Sequence, residues 1–98
     1  MAQVGQAAMK SAGCTADDID LWVPHQAGRR IIAGAQELLG FDDQRTVDVV
    51  ADLGNSSAAT IPIALGLARK QSRLEPGMTV LLTSVGAGIV RAGAVVRW

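Results

Sequence analysis

His25 and Asn55 are the side chains whose types and placement best suit chemistry. Each lies just past a run that reads as a strand and just before a stretch that reads as a helix. In open α/β sheets, the carboxyl ends of the strands are where sites form. Helix N-termini there favour developing negative charge. An imidazole N–H and an amide N–H2 on neighbouring loops can both donate to one oxygen, an oxyanion-type arrangement. It suits chemistry in which a thioester carbonyl gains enolate character. Gly54 allows a close approach or an unusual backbone angle beside Asn55. Judged on spacing alone, plainer roles come first: a satisfied or surface histidine after proline, and a turn former or helix cap in Gly54-Asn55-Ser56-Ser57.

Other candidates are weaker. Gly86-Ala87-Gly88 forms a third loop at the same end, and its backbone N–H groups can point into the same crevice. A hairpin that needs small residues explains it equally well. It is not a phosphate loop, since the required lysine and spacing are missing. Arg29 and Arg30 open the helix after His25, where cations oppose the helix dipole and an anionic partner would offset the cost. Arg69, Lys70 and Arg73 sit near a helix C-terminus and need no functional reading. Cys14 lies at the opposite end of Leu21–Val23 from His25, and nothing nearby would activate it.

The elements that must position these residues alternate. Val4, Ala7, Ala8 and Ala12 have near-helical spacing over residues 2–12, with Gly13 as the stop. Thr15 starts a short turn, with Asp17 and Asp18 suited to a helix N-terminus. Leu21-Trp22-Val23, stopped by Pro24, reads as a buried strand. Ile31, Ile32, Ala35, Leu38 and Leu39 trace an amphipathic helix capped by Gly40. Thr46–Val50 is β-branched and reads as a second strand. A helix is expected from about Ser57 to Ser72, with Pro62 early in it. Met78–Val85 reads as a strand, Gly86-Ala87-Gly88 as a tight reversal, and Val90–Trp98 as an antiparallel last strand. The order α-β-α-β-α-β-β implies a mainly parallel sheet covered by helices, ending in an antiparallel hairpin.

Length and composition set bounds. The chain has 98 residues, 49% apolar and only 18% charged. A small domain normally needs more charged surface, so part of this surface is expected to be covered by another domain or subunit. Met1 opens directly into a helical pattern, which reads as a beginning inside a domain. Nine basic residues balance nine acidic ones, which argues against nucleic-acid or polyanion binding. A single cysteine excludes an internal disulfide and a multi-cysteine zinc site, and fits a reducing, cytoplasmic setting. No stretch reaches the roughly 20 apolar residues of a membrane span, and no secretory signal opens the chain.

Leu21-Trp22-Val23-Pro24-His25-Gln26-Ala27, followed by Arg30-Ile31-Ile32, resembles the histidine motif of β-ketoacyl-acyl-carrier-protein synthase III. Gly54-Asn55-Ser56-Ser57-Ala58-Ala59-Thr60-Ile61-Pro62 resembles that family's asparagine motif, 30 residues on. Gly86-Ala87-Gly88 through Val95-Val96-Arg97-Trp98 is similar to its C-terminal hairpin. Three motifs in order, over essentially the whole chain, lift His25 and Asn55 above the plainer roles.

The resemblance implies a thiolase fold of two similar α/β halves. This chain would be the later part of the C-terminal half, a three-layer unit over residues 1–98. It implies an enzyme that takes an acyl group from acyl-CoA onto a cysteine and condenses it with malonyl-acyl carrier protein, releasing carbon dioxide. No residue here matches that cysteine, which belongs to the N-terminal half, so the chain alone is expected to be inactive. By resemblance, His25 and Asn55 hold the malonyl thioester carbonyl, and the backbone N–H of Ala87 is the oxyanion donor. Arg30 matches a position associated with carrier-protein docking. Gly28 stands where the family commonly has an asparagine near the pantetheine arm, which leaves room for a starter-unit enzyme of polyketide synthesis. Chalcone-synthase-like enzymes share the His and Asn roles, but His-Gln-Ala is less like theirs. No cofactor or metal is implied; coenzyme A thioester and carrier-protein phosphopantetheine are substrates. The expected partners are acyl carrier protein, acyl-CoA, the N-terminal half and a second copy in a homo-oligomer. The alternative is a non-catalytic module that binds a carrier protein or pairs with another chain.

Overall fold

The computed structural model describes residues 1–98. Helix α1 (Ala2–Ala12) ends at Gly13, and a capping box on Thr15 opens a single 3-10 turn at Ala16–Asp18. Strand β1 (Leu21–Pro24) leads into helix α2 (Arg29–Leu39), which ends at Gly40. A one-turn helix, α3 (Val50–Leu53), and a 3-10 turn at Ser57–Ala59 precede helix α4 (Thr60–Lys70). Pro62 is the third residue of α4, where its missing N–H would have had no helical partner anyway. Strands β2 (Thr79–Gly86) and β3 (Val90–Arg97) close the chain.

The sheet is mixed, in the order β1-β2-β3. β1 runs parallel to β2, with Leu21 opposite Val80 and Pro24 opposite Thr83. β2 and β3 form an antiparallel hairpin from Thr79–Arg97 to Gly86–Val90. Side chains alternate across the sheet. Trp22 and Leu81 face α1 and α2, in one apolar cluster with Met9, Ile32, Ala35, Leu39 and Phe41. Leu21, Val23 and Val80 face the other way, against Ala64 and Ala68 of α4 and against Val47 and Leu74. The result is three layers, α1 and α2, then sheet, then α4. Burial of each large side chain contributes about 1.5–3 kcal/mol, and Trp22, which has no exposed surface, anchors the first cluster. Its indole N–H is satisfied by Thr83 Oγ1 at 2.9 Å.

Two expectations need correction. Thr46–Val50 is not a strand. It makes one parallel bridge, Thr46 beside Trp22, through Trp22 N–H to Arg45 O and Val47 N–H to Trp22 O. Beyond Val47 side chains take the backbone donors: Gln26 Oε1 accepts from Val49 N–H and Asp48 Oδ1 from Val50 N–H. The ladder therefore stops and the chain turns into α3. The hairpin reversal also sits one residue later than read, at Ala87-Gly88-Ile89 between the paired Gly86 and Val90.

α4 is apolar nearly all round, yet only Thr60, Ala64 and Ala68 are buried. Ile63, on another side, is 40% exposed. A helix of that composition normally has both sides covered.

Candidate active site

β1 and β2 are parallel, so their carboxyl ends fall at one edge of the sheet. His25 follows β1 immediately, and its N–H donates to Thr83 O at 2.7 Å, extending the ladder by one bond. Its ring is buried, with Nδ1 against Thr60 Oγ1 of α4 and no protein partner at Nε2. The imidazole is thereby fixed at one nitrogen and free at the other.

Asn55 follows α3. Gly54 before it has φ 66° and ψ −172°, a combination essentially confined to glycine, and this sets the direction in which the chain enters Asn55. Asn55 Oδ1 accepts from Ser57 N–H at 2.9 Å, an Asx turn. With its oxygen taken, the amide has its two Nδ2 hydrogens left to offer.

Both residues line one crevice of about 550 Å³. Ala27, Ile31 of α2, Ser57 and Ala58 of the 3-10 turn, and Ser84–Ala87 at the end of β2 complete it. Ala87 is therefore brought to the same place as His25 and Asn55. Arg30 and Gly28 are not: Arg30 is exposed on the first turn of α2, and Gly28 is the half-buried residue just before that helix. Cys14 lines a separate crevice with Thr79 and Arg97, at the opposite end of the sheet. No three His, Cys, Asp or Glu side chains gather anywhere as a metal site would require.

Two supporting residues carry no role in the sequence reading. Gln26 is 1% exposed. Its Nε2 donates to Pro24 O at 2.9 Å and Val47 O at 3.0 Å, while Oε1 accepts from Val49 N–H at 2.8 Å. It thus ties the histidine loop to the segment that leads to Asn55. Thr60 reaches the histidine from the other side. A glutamine directly after His25 was the one available signal; the sequence held none for Thr60.

The arrangement brings an imidazole anchored at Nδ1 and an amide anchored at Oδ1 to one crevice. It can bind an oxygen that becomes negatively charged.

Comparison with known proteins places the arrangement. The family model for the C-terminal region of 3-oxoacyl-[acyl-carrier-protein] synthase III matches residues 9–98. A 3-oxopimeloyl-[acyl-carrier-protein] synthase from Rhodothermus marinus is 46% identical over 98 residues, all of this chain and 28% of that protein. A β-ketoacyl-[acyl-carrier-protein] synthase III from Nitratidesulfovibrio vulgaris is 45% identical over all of this chain and 30% of its own length. The crystal structure of the synthase III from Thermus thermophilus superposes with a TM-score of 0.97 at 45% identity, over the whole chain and 30% of that structure. The chain thus spans under a third of the length of the relatives it matches. Within that third, the sequence and the fold both match one family: the chain belongs to the C-terminal family of the 3-oxoacyl-[acyl-carrier-protein] synthases III.

Proposed function

We propose that this chain supplies the decarboxylation half of a condensing active site, which joins an acyl primer from acyl-CoA to malonyl-acyl carrier protein. The observation that carries this is the pairing of the anchored side chains of His25 and Asn55 on one crevice. In the reaction, the bond between the malonyl carboxylate and its α-carbon breaks and carbon dioxide leaves. The electron pair moves into the thioester as an enolate, whose oxygen takes the N–H groups of His25 and Asn55. The α-carbon then attacks an acyl thioester and expels its thiolate. Ala87, which lines the same crevice, is assigned the backbone N–H that receives the oxyanion formed in that attack.

The acyl-bearing cysteine is assigned to an N-terminal α/β half, with residues 1–98 as the C-terminal thiolase-like domain. Arg30, exposed near the crevice loop, is assigned to the acidic carrier protein, and Gly28 to the passage of the pantetheine arm. The reaction as written needs no resident cofactor. The exposed side of α4 supports pairing with a similar half or a second copy, and the lone unpaired thiol supports a cytoplasmic setting. No helix is long and apolar enough to cross a membrane.

The test is to join this chain to a matching cysteine-bearing half and follow malonyl-thioester decarboxylation. His25→Ala or Asn55→Ala should each lower the rate about 10²–10³-fold, the usual cost of one oxyanion donor. Full decarboxylation by the His25→Ala protein would refute the assignment.

A further inference from the structure

We propose that Thr60 is a positioning residue that holds His25 as the Nε2–H tautomer, through a relay from the Gln26 backbone N–H to the Thr60 hydroxyl and on to Nδ1. Thr60 is the first residue of α4 and is 3% exposed. Its Oγ1 lies 2.5 Å from His25 Nδ1 and accepts from Gln26 N–H at 3.3 Å. Two proton arrangements fit these contacts. If Nδ1 carried the hydrogen, Oγ1 would accept both bonds and its own hydrogen would have no acceptor, since the hydroxyl has no third partner. If the hydroxyl donates to Nδ1, every group is satisfied. Leaving a buried hydroxyl unpaired weights the first arrangement against the second by roughly five- to a hundredfold. The bond made at one ring nitrogen sets the state of the other, so the hydrogen resides on Nε2, the nitrogen with no protein partner.

The logic matches that at Asn55, where Ser57 N–H occupies the acceptor atom and leaves the donor free. In both residues the acceptor is satisfied inside the protein. The catalytic consequence rests on the condensing reading above; the tautomer does not.

His25 is the only histidine of the chain, so its ring nitrogens give unambiguous signals when histidine is 15N-labelled. At about pH 8.5, above the ordinary imidazole range, wild type should show Nε2 protonated and Nδ1 bare. Thr60→Ser should keep that pattern. Thr60→Val, near-isosteric but without the hydroxyl, should lose that preference, about five- to a hundredfold, with amide dispersion reporting its folding. A protonated Nδ1 in wild type would overturn the proposal, and so would a folded Thr60→Val protein with the wild-type pattern. If Thr60→Val does not fold, the wild-type spectrum still decides. In the joined enzyme, Thr60→Val should lower decarboxylation about tenfold or more with KM little changed, and Thr60→Ser should restore it. The two readings fail separately. An inert His25→Ala substitution removes the condensing role and leaves the tautomer standing, while a protonated Nδ1 does the reverse.

Discussion

Replacing Gln26 by leucine should cost this domain about 3 kcal/mol, a large share of its stability. The two side chains are similar in volume, so packing changes little, and the effect isolates hydrogen bonding. Three backbone groups lose their partner: Pro24 O, Val47 O and Val49 N–H. A buried group left unsatisfied costs about 1–3 kcal/mol. Pro24 and Val47 are buried, so their carbonyls carry most of the loss, while Val49 is half-buried and water can reach it. Together these give about 3–5 kcal/mol, from which the better transfer of an apolar side chain recovers about 1 kcal/mol. A domain of this size is held by about 5–15 kcal/mol, and each kcal/mol moves Tm by about 4–8 °C. Urea unfolding followed by circular dichroism and tryptophan fluorescence would measure the change. Gln26→Glu should be worse still. It keeps an acceptor for Val49 N–H but turns a carboxylate oxygen toward two carbonyls, a buried charge with no counterion. A Gln26→Leu loss below about 1 kcal/mol, or a glutamate variant as stable as the leucine one at neutral pH, would refute the picture of Gln26 as the tie between the two loops.

The remaining predictions separate backbone from packing effects and test the uncovered helix. Gly54→Ala should cost about 1–3 kcal/mol in urea titration purely through backbone strain, because its φ of 66° and ψ of −172° suit only glycine while no atom lies within 4 Å of the added carbon. Gly93→Ala should cost a similar amount, about 1–3 kcal/mol, for the opposite reason: its new carbon would lie 2.9 Å from Val4 O. It should also loosen α1 from β3, seen as faster amide exchange across Ala2–Ala12. The isolated chain should self-associate through α4, and Ile63→Lys should reduce this; a wild-type monomer at high concentration by sedimentation would contradict it.

The sequence made the parallel pair legible because Leu21-Trp22-Val23 is a short apolar run stopped by Pro24, and Met78–Val85 is an apolar run that begins after the Pro76-Gly77 turn. Helix ends were legible where glycine follows an amphipathic run, as at Gly13 and Gly40. Thr46–Val50 misled for a physical reason. Its β-branched residues do favour extended backbone, but whether extended backbone becomes a strand depends on who takes its hydrogen bonds, and here Gln26 and Asp48 take those beyond Val47. The reversal slipped by a residue because Gly86-Ala87-Gly88 advertises a turn, while the pairing of Gly86 with Val90 shifts it onto Ile89. Of the site, His25 and Asn55 could be picked out by position and motif. Thr60 could not, because its role depends on α4 beginning where its hydroxyl meets a ring 35 residues away in the chain.

That dependence also explains why two loops separated by a helix and an irregular segment can act on one atom. The parallel pairing of β1 and β2 brings the chain ends to one edge, but an edge alone leaves loops free to move. Here each donor is tethered at its acceptor atom, His25 Nδ1 by Thr60 and Asn55 Oδ1 by Ser57 N–H. Both tethers belong to the turn and helix that follow Asn55, so the segment that presents the amide also aims the imidazole. Gln26 closes the arrangement from the sheet side, through Val47 and Val49. Loss of a tether should therefore leave the donor present but misdirected, a smaller fall in rate than loss of the donor itself. This ordering, Thr60→Val milder than His25→Ala, follows from the geometry.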